Sequence, residues 1–360
     1  MCEKRIVLFA QGLTNRAGIE RMTVALANLL ADTYKVSIVL IEPFSYANLP
    51  YELKSSVYVE SLNSSFGGLN LKNIRNLRRV VKRLGADVMI TVATPLVRIS
   101  APALMGLGVR NIAWEHFNLY AGSRIGSVWK WVSTFLVEKT VVLCDHDAGN
   151  FRKKRARNVT AIYNFSSIGE ENEPSECREK VILAVGRHAH QKGFDMLLKA
   201  WAKVDAGDWK LRIVGDGALY EENVSLAEEL GISEKVIFAG STSDIVEEYR
   251  KASCFVLSSR YEGLVMVLIE ARMMGLTCVS FDCPTGPREI IRDGVDGFLV
   301  EPEDIEGLAK QMSEVIRMGN LKEIGQLART DAIHRYGTQK ATSEWMTLIE
   351  SCKRSDTSLK

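Results

Sequence analysis

Short apolar runs alternate with amphipathic segments along most of the chain, and this alternation predicts strands and helices in turn. In the first half, unbroken apolar runs predict buried strands at residues 5–10, 36–41, 87–92, 110–116 and 140–145. Apolar residues at helical spacing predict helices at 19–31 and 70–84, the second ending at Gly85. Strands that are apolar throughout are typical of a parallel sheet covered by helices on both faces.

The same alternation restarts in the second half of the chain, after a polar and acidic stretch at 166–179 that we interpret as a linker or domain entry. Strands are predicted at 181–186, 211–217, 236–240, 254–259, 277–282 and 297–300, and helices at 193–204, 219–231, 243–252, 287–292 and 304–318. A chain of 360 residues has room for two domains. In doubly wound domains, ligands bind at the carboxyl ends of the strands.

Charge is distributed unevenly between the halves, although the net charge is only +2. Residues 1–165 carry 22 Lys and Arg against 11 Asp and Glu, whereas the remaining residues carry 24 against 33. The basic half therefore predicts contact with an anionic surface, either nucleic acid or anionic lipid. The seven cysteines form no C-x-x-C pair, which indicates reduced thiols in the cytoplasm. No apolar run approaches the ~20 residues of a membrane span.

Three segments of the first half are basic or aromatic and suggest where such contact occurs. Residues 70–85 form a basic amphipathic helix, 127–139 carry Trp129, Trp131 and Phe135, and 152–157 read RKKRAR. Such segments can lie on anionic lipid, or they can be packed helices with a solvated basic face. We favour lipid, because no nucleic-acid-binding motif is present.

Two carboxylates flank a predicted helix start in the segment 254–275. Glu262 is expected at the end of a strand, with Gly263 opening a helix that carries Glu270, about two turns or ~12 Å further on. The free N–H groups and positive dipole of a helix start suit an anion such as a diphosphate, and the carboxylates can accept hydrogen bonds from hydroxyls. This predicts a cradle for a sugar nucleotide. Alternatively, Glu262 is a helix-start charge and Glu270 an exposed residue, but the apolar neighbours of Glu270 argue for a buried carboxylate with a partner.

Three segments together resemble the retaining glycosyltransferases of family four. They are GRHAHQKGFDMLLKAW (186–201), LRIVGDG (211–217) and YEGLVMVLIEARMMGLTCVSFDCPTGPREIIRDGVDGFLV (261–300). The resemblance covers nearly the whole chain and implies an α/β protein of the GT-B fold, with two Rossmann-like doubly wound domains facing across a cleft. It implies an acceptor-binding domain at 1–165, a nucleotide-sugar-binding domain at 166–335, and a C-terminal helix at 336–360 that packs back on the N-terminal domain.

The resemblance also implies roles for residues at several strand ends. Arg187 and Lys192 would offset the charge of the leaving diphosphate, which needs cations where charge develops. Glu262 would contact the donor sugar and Glu270 the ribose, while His116 would assist at the sugar. Without the resemblance, the two cations are surface charges and His116 is structural.

Further donor contacts are implied at three loops. They comprise the backbone N–H groups of Gly263, Leu264 and Val265, the glycine-rich first loop at Gly18, and the base contact at Gly240 and Ser241. Two departures from the family pattern concern loop shape: relatives usually carry Pro or Gly in place of Val265, and one glycine is missing before Gly18 in Ala17-Gly18-Ile19-Glu20.

No metal site is predicted. Asp145-His146-Asp147 is the single Asp-x-Asp, a signature that holds a divalent metal in a different glycosyltransferase fold, but here it follows a strand and opens a helix, where Asp is a common cap. The absence of G-x-G-x-x-G and Walker A patterns argues against dinucleotide oxidoreductases and P-loop NTPases.

The sequence therefore predicts a retaining, metal-independent glycosyltransferase without a cofactor, peripheral on the inner face of the cell membrane. By resemblance, it would move a hexose or N-acetylhexosamine from a nucleoside diphosphate sugar, UDP favoured, to a hydroxyl of a lipid-linked glycan in lipopolysaccharide, O-antigen or capsule assembly. A sugar-nucleotide epimerase of the same fold and a non-catalytic sugar-nucleotide or glycan-binding subunit are the alternatives. No nucleic-acid partner is expected.

Overall fold

The chain forms two compact units, which we describe separately from a computed structural model. Unit 1 comprises Met1–Asn164 and Ala341–Lys360, and unit 2 comprises Phe165–Lys340. The structure describes residues 3–14, 18–66, 70–120, 123–156, 158–284 and 286–352. The predicted division after residue 165 lies one residue from the observed one.

Unit 1 is built on a seven-stranded sheet in which all pairs of neighbouring strands are parallel. Its strands are β1 (Arg5–Ala10), β2 (Lys35–Leu40), β3 (Tyr58–Ser61), β4 (Val88–Val92), β5 (Arg110–Trp114), β6 (Lys139–Val142) and β7 (Val159–Ala161). They are arranged in the order β3-β2-β1-β4-β5-β6-β7. This is the doubly wound arrangement, in which the order reverses beside the first strand.

Helices connect these strands, because parallel neighbours require a crossover. They are α1 (Gly18–Leu30), α2 (Leu71–Leu84), α3 (Val97–Leu104), α4 (Arg124–Ser133) and α5 (Asp145–Lys153). Helix α2 begins where the Asn70 side chain accepts hydrogen bonds from two backbone N–H groups, and it ends at Gly85 in the left-handed conformation, as predicted.

Unit 2 repeats the architecture with a six-stranded parallel sheet in the order β10-β9-β8-β11-β12-β13. Its strands are β8 (Val181–Val185), β9 (Lys210–Val214), β10 (Val236–Gly240), β11 (Cys254–Leu257), β12 (Thr277–Phe281) and β13 (Phe298–Val300). Its helices are α6 (Ile168–Glu171), α7 (Phe194–Trp201), α8 (Tyr220–Glu229), α9 (Ile245–Lys251), α10 (Met266–Met273), α11 (Pro287–Ile290), α12 (Ile305–Val315) and α13 (Leu321–Tyr336). The predicted α/β class with two doubly wound sheets is confirmed.

The C-terminal helix predicted at 336–360 corresponds to a helix at Thr338–Ser351, which a separate helix precedes. Helix α13 ends at Tyr336, Gly337 is extended, and helix α14 (Thr338–Ser351) follows. Residues from Ala341 onward belong to unit 1, where Trp345 is fully buried and meets the ring of Trp114 edge-on at 5.3 Å. Glu350 accepts hydrogen bonds from Lys4 and from the hydroxyl of Tyr34. The last eight residues, 353–360, lie outside the described part of the chain.

Periodicity missed the two strands at the edges of the unit 1 sheet, β3 and β7. Both strands are short and only one residue of each is buried, so neither gives a continuous apolar run. Several predicted strands also end early. Strand β9 stops at Val214, because Gly215 and Gly217 adopt positive φ angles that leave the strand conformation.

The buried ring of Trp345 predicts that α14 contributes to the stability of unit 1. We expect Trp345→Ala to lower the unfolding free energy of unit 1 by about 3–5 kcal/mol, because a large aromatic side chain leaves a cavity. Thr347→Ala, on the exposed side of the same helix, should change it by less than about 0.5 kcal/mol. Urea unfolding followed by tryptophan fluorescence measures both, and equal effects would contradict the packing described.

Candidate functional site

The loop between β8 and α7 carries the predicted cations Arg187 and Lys192. Gly193 ends this loop with φ +64°, and a Cβ atom there would lie 2.2 Å from the carbonyl oxygen of Ser258. Only glycine combines that conformation with so close an approach to the neighbouring backbone. The loop is therefore held against the segment that follows β11.

Lys192 and Glu262 form the central contact of the site. The ammonium Nζ of Lys192 lies 2.6 Å from Oε1 of Glu262, and the side chains are only 15% and 8% exposed. The hydroxyl of Ser259 also donates to Oε1 at 2.7 Å, and the amide of Gln191 donates to Oε2 at 3.2 Å. Because an ammonium has three donors, Lys192 can bind a further anion while paired with Glu262.

A second ion pair connects the segment after β11 to the start of α7 and to the loop before it. The guanidinium of Arg260 donates two hydrogen bonds to the carboxylate of Asp195, at 2.9 and 2.7 Å, and a third to the carbonyl of His190. Such a two-pronged pair fixes orientation as well as distance. Sequence reasoning missed Arg260 and Asp195, because residues 65 positions apart give no local signal that they meet.

Arg187 projects from the same loop but differs from Lys192 in its surroundings. Its side chain is exposed, and among the described residues its guanidinium has no hydrogen-bond or ion-pair partner. The next residue, His188, is fully buried and bonded through Nδ1 to the amide of Asn223. Burial lowers the pKa of His188, so its ring is a neutral anchor for the loop that presents Arg187.

The expected arrangement of Glu262 and Glu270 on one helix is wrong. Strand β11 ends at Leu257 and α10 begins only at Met266, so Glu262 lies in the intervening loop. Its carboxylate is bound by Lys192, Gln191 and Ser259, and these contacts hold the chain in a loop where a helix was predicted. Gly263 and Leu264 precede the helix, and Val265 occupies its N-cap position.

Glu270 is buried, as its apolar neighbours indicated, with 1% of its surface exposed. Its Oε2 lies 3.3 Å from the hydroxyl of Tyr249. The alternative of an exposed helix residue is therefore wrong. A role at the ribose stays a prediction for Glu270.

Two further predicted contacts lie at strand or helix ends in their own units. Gly240 is the last residue of β10, in the left-handed conformation, and Ser241 beside it is exposed. In unit 1, Gly18 is the first residue of α1, and the space where its Cβ would lie is empty. Ala17, which precedes it, falls outside the described residues.

His116 follows β5 in unit 1 and is a buried, neutral side chain. Its ring lies 4.3 Å from that of Trp114, and burial lowers its pKa from 6.5 to about 3. Its Nε2 atom is buried and has no hydrogen-bond partner among the residues that the structure describes. Because buried polar atoms normally have partners, this nitrogen is a candidate for contact with a bound molecule.

The segment around His116 is held by buried charges that the sequence did not reveal. Glu115 accepts hydrogen bonds from the hydroxyl of Thr94 and from the backbone of Phe117, and its Oε1 lies 3.9 Å from the ammonium of Lys130. The side chains of Glu115, Thr94 and Lys130 are all buried. A rigid support of this kind fixes the backbone on which His116 is carried.

Asp145-His146-Asp147 opens α5, but the expected cap is wrong. The N-cap residue is Cys144, and Asp145 is the first residue of the helix. Oδ1 of Asp147 accepts from the backbone of Leu119 at 2.9 Å, and burial raises the pKa of Asp147 to about 6. Within the described ranges, no group of three or more His, Cys, Asp or Glu is placed to hold a metal ion.

Comparisons with known proteins identify the family. Residues 169–329 match the model described as "Glycosyl transferases group 1". An uncharacterized glycosyltransferase of Haemophilus influenzae is 30% identical over 96% of this chain and 100% of its own length. The chain belongs to this family of glycosyltransferases and is a transferase enzyme, which favours sugar transfer over the epimerase and the non-catalytic subunit.

Two further relatives and two solved structures extend the likeness. The Erwinia amylovora amylovoran biosynthesis glycosyltransferase is 28% identical over 96% of this chain and 99% of its own. A Campylobacter jejuni α-1,4-N-acetylgalactosaminyltransferase acting on an undecaprenol-diphosphate-linked glycan is 30% identical, covering 96% and 99%. The structure of Anabaena HepE in complex with UDP has a TM-score of 0.81 at 18% identity, covering 96% and 100%, and a Rickettsia africae glycosyltransferase has 0.82 at 18%, covering 99% and 100%. The fold is GT-B.

The buried ring of His116 predicts a pH-dependent contribution to stability. Its folded pKa of about 3 lies below the ordinary 6.5, so the unfolded chain takes up a proton first as the pH falls. The contribution of the neutral, buried His116 ring to stability is complete above pH 6.5 and is lost as the pH falls toward 3. The unfolding free energy of wild type minus that of His116→Gln should therefore rise with pH in this window, by up to about 1.4 kcal/mol per pH unit.

Urea unfolding at several pH values measures this difference, and subtraction removes the opposite contribution of Asp147, whose pKa is raised. A difference that is constant across the window would show that His116 titrates normally in the folded protein.

Proposed function

We propose that this glycosyltransferase moves a hexose or N-acetylhexosamine from a UDP-sugar to a hydroxyl of a lipid-linked glycan, with retention and without a metal. The observation that carries the proposal is the Lys192–Glu262 pair, largely shielded from water, at the carboxyl edge of the unit 2 sheet. It places a fixed ammonium beside a carboxylate oriented by three donors. That combination suits a diphosphate next to a sugar hydroxyl.

The donor is proposed to be held by charge and hydrogen bonds. Lys192 and the exposed Arg187 neutralise the diphosphate, assisted by the backbone N–H groups of Gly263, Leu264 and Val265 at the start of α10. Glu262 accepts hydrogen bonds from sugar hydroxyls. Glu270 accepts from the ribose, and Gly240 and Ser241 contact the base. The UDP complex of HepE, which shares the fold, supports the choice of nucleotide.

The transfer breaks the bond between the anomeric carbon and the diphosphate oxygen, and UDP leaves with the electron pair. The acceptor oxygen attacks the anomeric carbon from the same face, and its proton passes to the departing diphosphate. Lys192 and Arg187 stabilise the charge that grows on the leaving group, where fixed cations are most effective. The Nε2 atom of His116, which has no partner among the described residues, is suited to a hydrogen bond with a hydroxyl of the sugar.

The acceptor and the location are inferred from relatives and from charge. The Campylobacter jejuni relative acts on an undecaprenol-diphosphate-linked glycan and the Erwinia amylovora relative serves amylovoran synthesis, which supports a lipid-linked acceptor in surface-polysaccharide assembly. No helix in the described residues is long and apolar enough to cross a bilayer. The basic first half supports peripheral contact with the inner face of the cell membrane.

Donor turnover tests the proposed roles of the ion pair. A panel of UDP-, GDP- and ADP-sugars should show release of nucleotide from a UDP-sugar, and Lys192→Ala and Glu262→Gln should each lower the rate by about 100-fold or more, because they remove preorganised charge. Lys199→Ala, an exposed lysine on α7, is the matched control and should retain the wild-type rate. Release of a free epimer, or equal rates for all four proteins, would contradict the proposal.

A further inference from the structure

Helix α4 and the turn that follows it have reversed amphipathicity. Ile125, Val128 and Phe135 are 84%, 55% and 60% exposed, whereas the charged side chain of Lys130 is buried. The hydroxyl residues Ser133 and Thr134 are fully buried as well. In a water-facing helix the polar residues would point outward. This element therefore exposes several apolar side chains while it buries a lysine and two hydroxyl residues, and Trp131 packs against the hydrophobic core.

The exposed apolar residues form one continuous stripe, which we call the α4 stripe. Its members recur at helical spacing along α4 and the 3-10 turn Thr134–Leu136: they are Ile125, Val128, Val132, Phe135 and Leu136. Val132 is half-buried and the others are exposed. Spacings of three and four residues place side chains on one face of a helix. A contiguous apolar face of this kind marks a contact surface.

Buried polar contacts prevent the stripe from turning inward. The Lys130 ammonium donates to the carbonyl of Asn118 at 2.7 Å and lies 3.9 Å from the Glu115 carboxylate. Ser133 and Thr134 bond to carbonyls within the helix. A rotation of α4 that buried the stripe would break the hydrogen bond from Lys130 to the carbonyl of Asn118. It would also leave the buried Glu115 carboxylate without its lysine, which is costly.

The loop before α4 extends the apolar surface. Phe117 and Tyr120 are 55% and 56% exposed, and the backbone around them is fixed from beneath by Glu115 and Asp147. At the other end of the stripe, Met105 is 70% exposed and lines the same cavity of about 320 Å³ as Phe135 and Leu136. The surface therefore runs from the β5–α4 loop to the end of α3.

Basic side chains border this surface on both sides. The indole of Trp131 donates to the carbonyl of Lys154, which ties the end of α5 to α4, and the Lys154 ammonium lies 5.2 Å from the Tyr120 ring. Residues 152–155, Arg-Lys-Lys-Arg, are all exposed. On the other side, the Arg78 guanidinium of α2 donates to the carbonyl of Met105, on a helix with five further cations.

We propose that the α4 stripe inserts into the interface of an anionic bilayer, with the α5 end and α2 binding lipid phosphates on either side. An apolar face flanked by lysines and arginines matches the layers of such an interface, acyl chains below and anionic headgroups above. The inference rests on the proposed function in one respect, that the acceptor is lipid-linked. It specifies which surface of unit 1 faces the membrane.

Vesicle co-sedimentation tests the surface. The wild-type chain should bind vesicles of phosphatidylethanolamine and phosphatidylglycerol and should bind phosphatidylcholine vesicles much more weakly. Ile125→Gln with Phe135→Gln should weaken binding by about tenfold per side chain, because each removes one buried apolar group. Lys153→Glu with Lys154→Glu should abolish the preference for anionic vesicles and the salt dependence.

Leu327→Gln, a half-exposed leucine on α13 in unit 2, is the matched control and should bind like the wild type. Binding of the Ile125→Gln/Phe135→Gln protein that equals this control would overturn the proposal. A wild-type dimer that this double variant converts to a monomer, without vesicle binding by either, would overturn it in favour of a second copy of the chain.

Release of nucleotide from the UDP-sugar, measured without vesicles, separates the two proposals. The stripe variants should retain it, because the stripe contains none of the residues proposed to bind the donor. If the Ile125→Gln/Phe135→Gln protein loses vesicle binding but still releases nucleotide at the wild-type rate, the α4 stripe is confirmed as the membrane-binding surface. If the wild-type protein binds vesicles but releases no nucleotide from any UDP-sugar, the proposed function is contradicted and the proposed membrane-binding surface is still supported.

Discussion

The ion pair between Lys192 and Glu262 fixes the geometry of the proposed donor site. It joins two loops that follow different strands of the unit 2 sheet, and it is largely shielded from water. Removing either partner would leave a charge in a poorly solvated position, which is costly. The second pair, between Arg260 and Asp195, holds the same loops and so limits how far the first can move. Together the two ion pairs fix the positions of these loops.

The repeating strands and helices could be predicted from sequence because buried parallel strands leave continuous apolar runs. The short strands β3 and β7 could not, since only one residue of each is buried. The sequence suggested candidate residues for the site, whose roles stay predictions, but it did not give their geometry. Glu262 was expected at a strand end with a helix immediately after it, and its bonds to Lys192, Gln191 and Ser259 instead maintain a loop up to Val265. Contacts between distant segments leave no periodic signal.

The sequence also could not predict how helix α4 of unit 1 is oriented. The aromatic and basic residues of 127–139 suggested a lipid-facing helix, but the sequence alone could not say which side faces out. That depends on Glu115, Lys130 and Asp147, which are buried and support the loop that carries His116. Buried charge thus has a similar function in both units. It fixes loops at the carboxyl ends of parallel strands, where a doubly wound fold binds its ligands.

We propose that Lys192 is a cation fixed for a diphosphate, and isothermal titration calorimetry with UDP and uridine measures its contribution to binding. Lys192→Met preserves the aliphatic stem, so we expect it to weaken UDP binding by about tenfold or more through loss of a charge-assisted hydrogen bond, while uridine binds as before. The double variant Lys192→Met/Glu262→Gln, which leaves no unpaired carboxylate, should show the same selective loss. Unchanged UDP affinity, or an equal loss for UDP and uridine, would contradict the account.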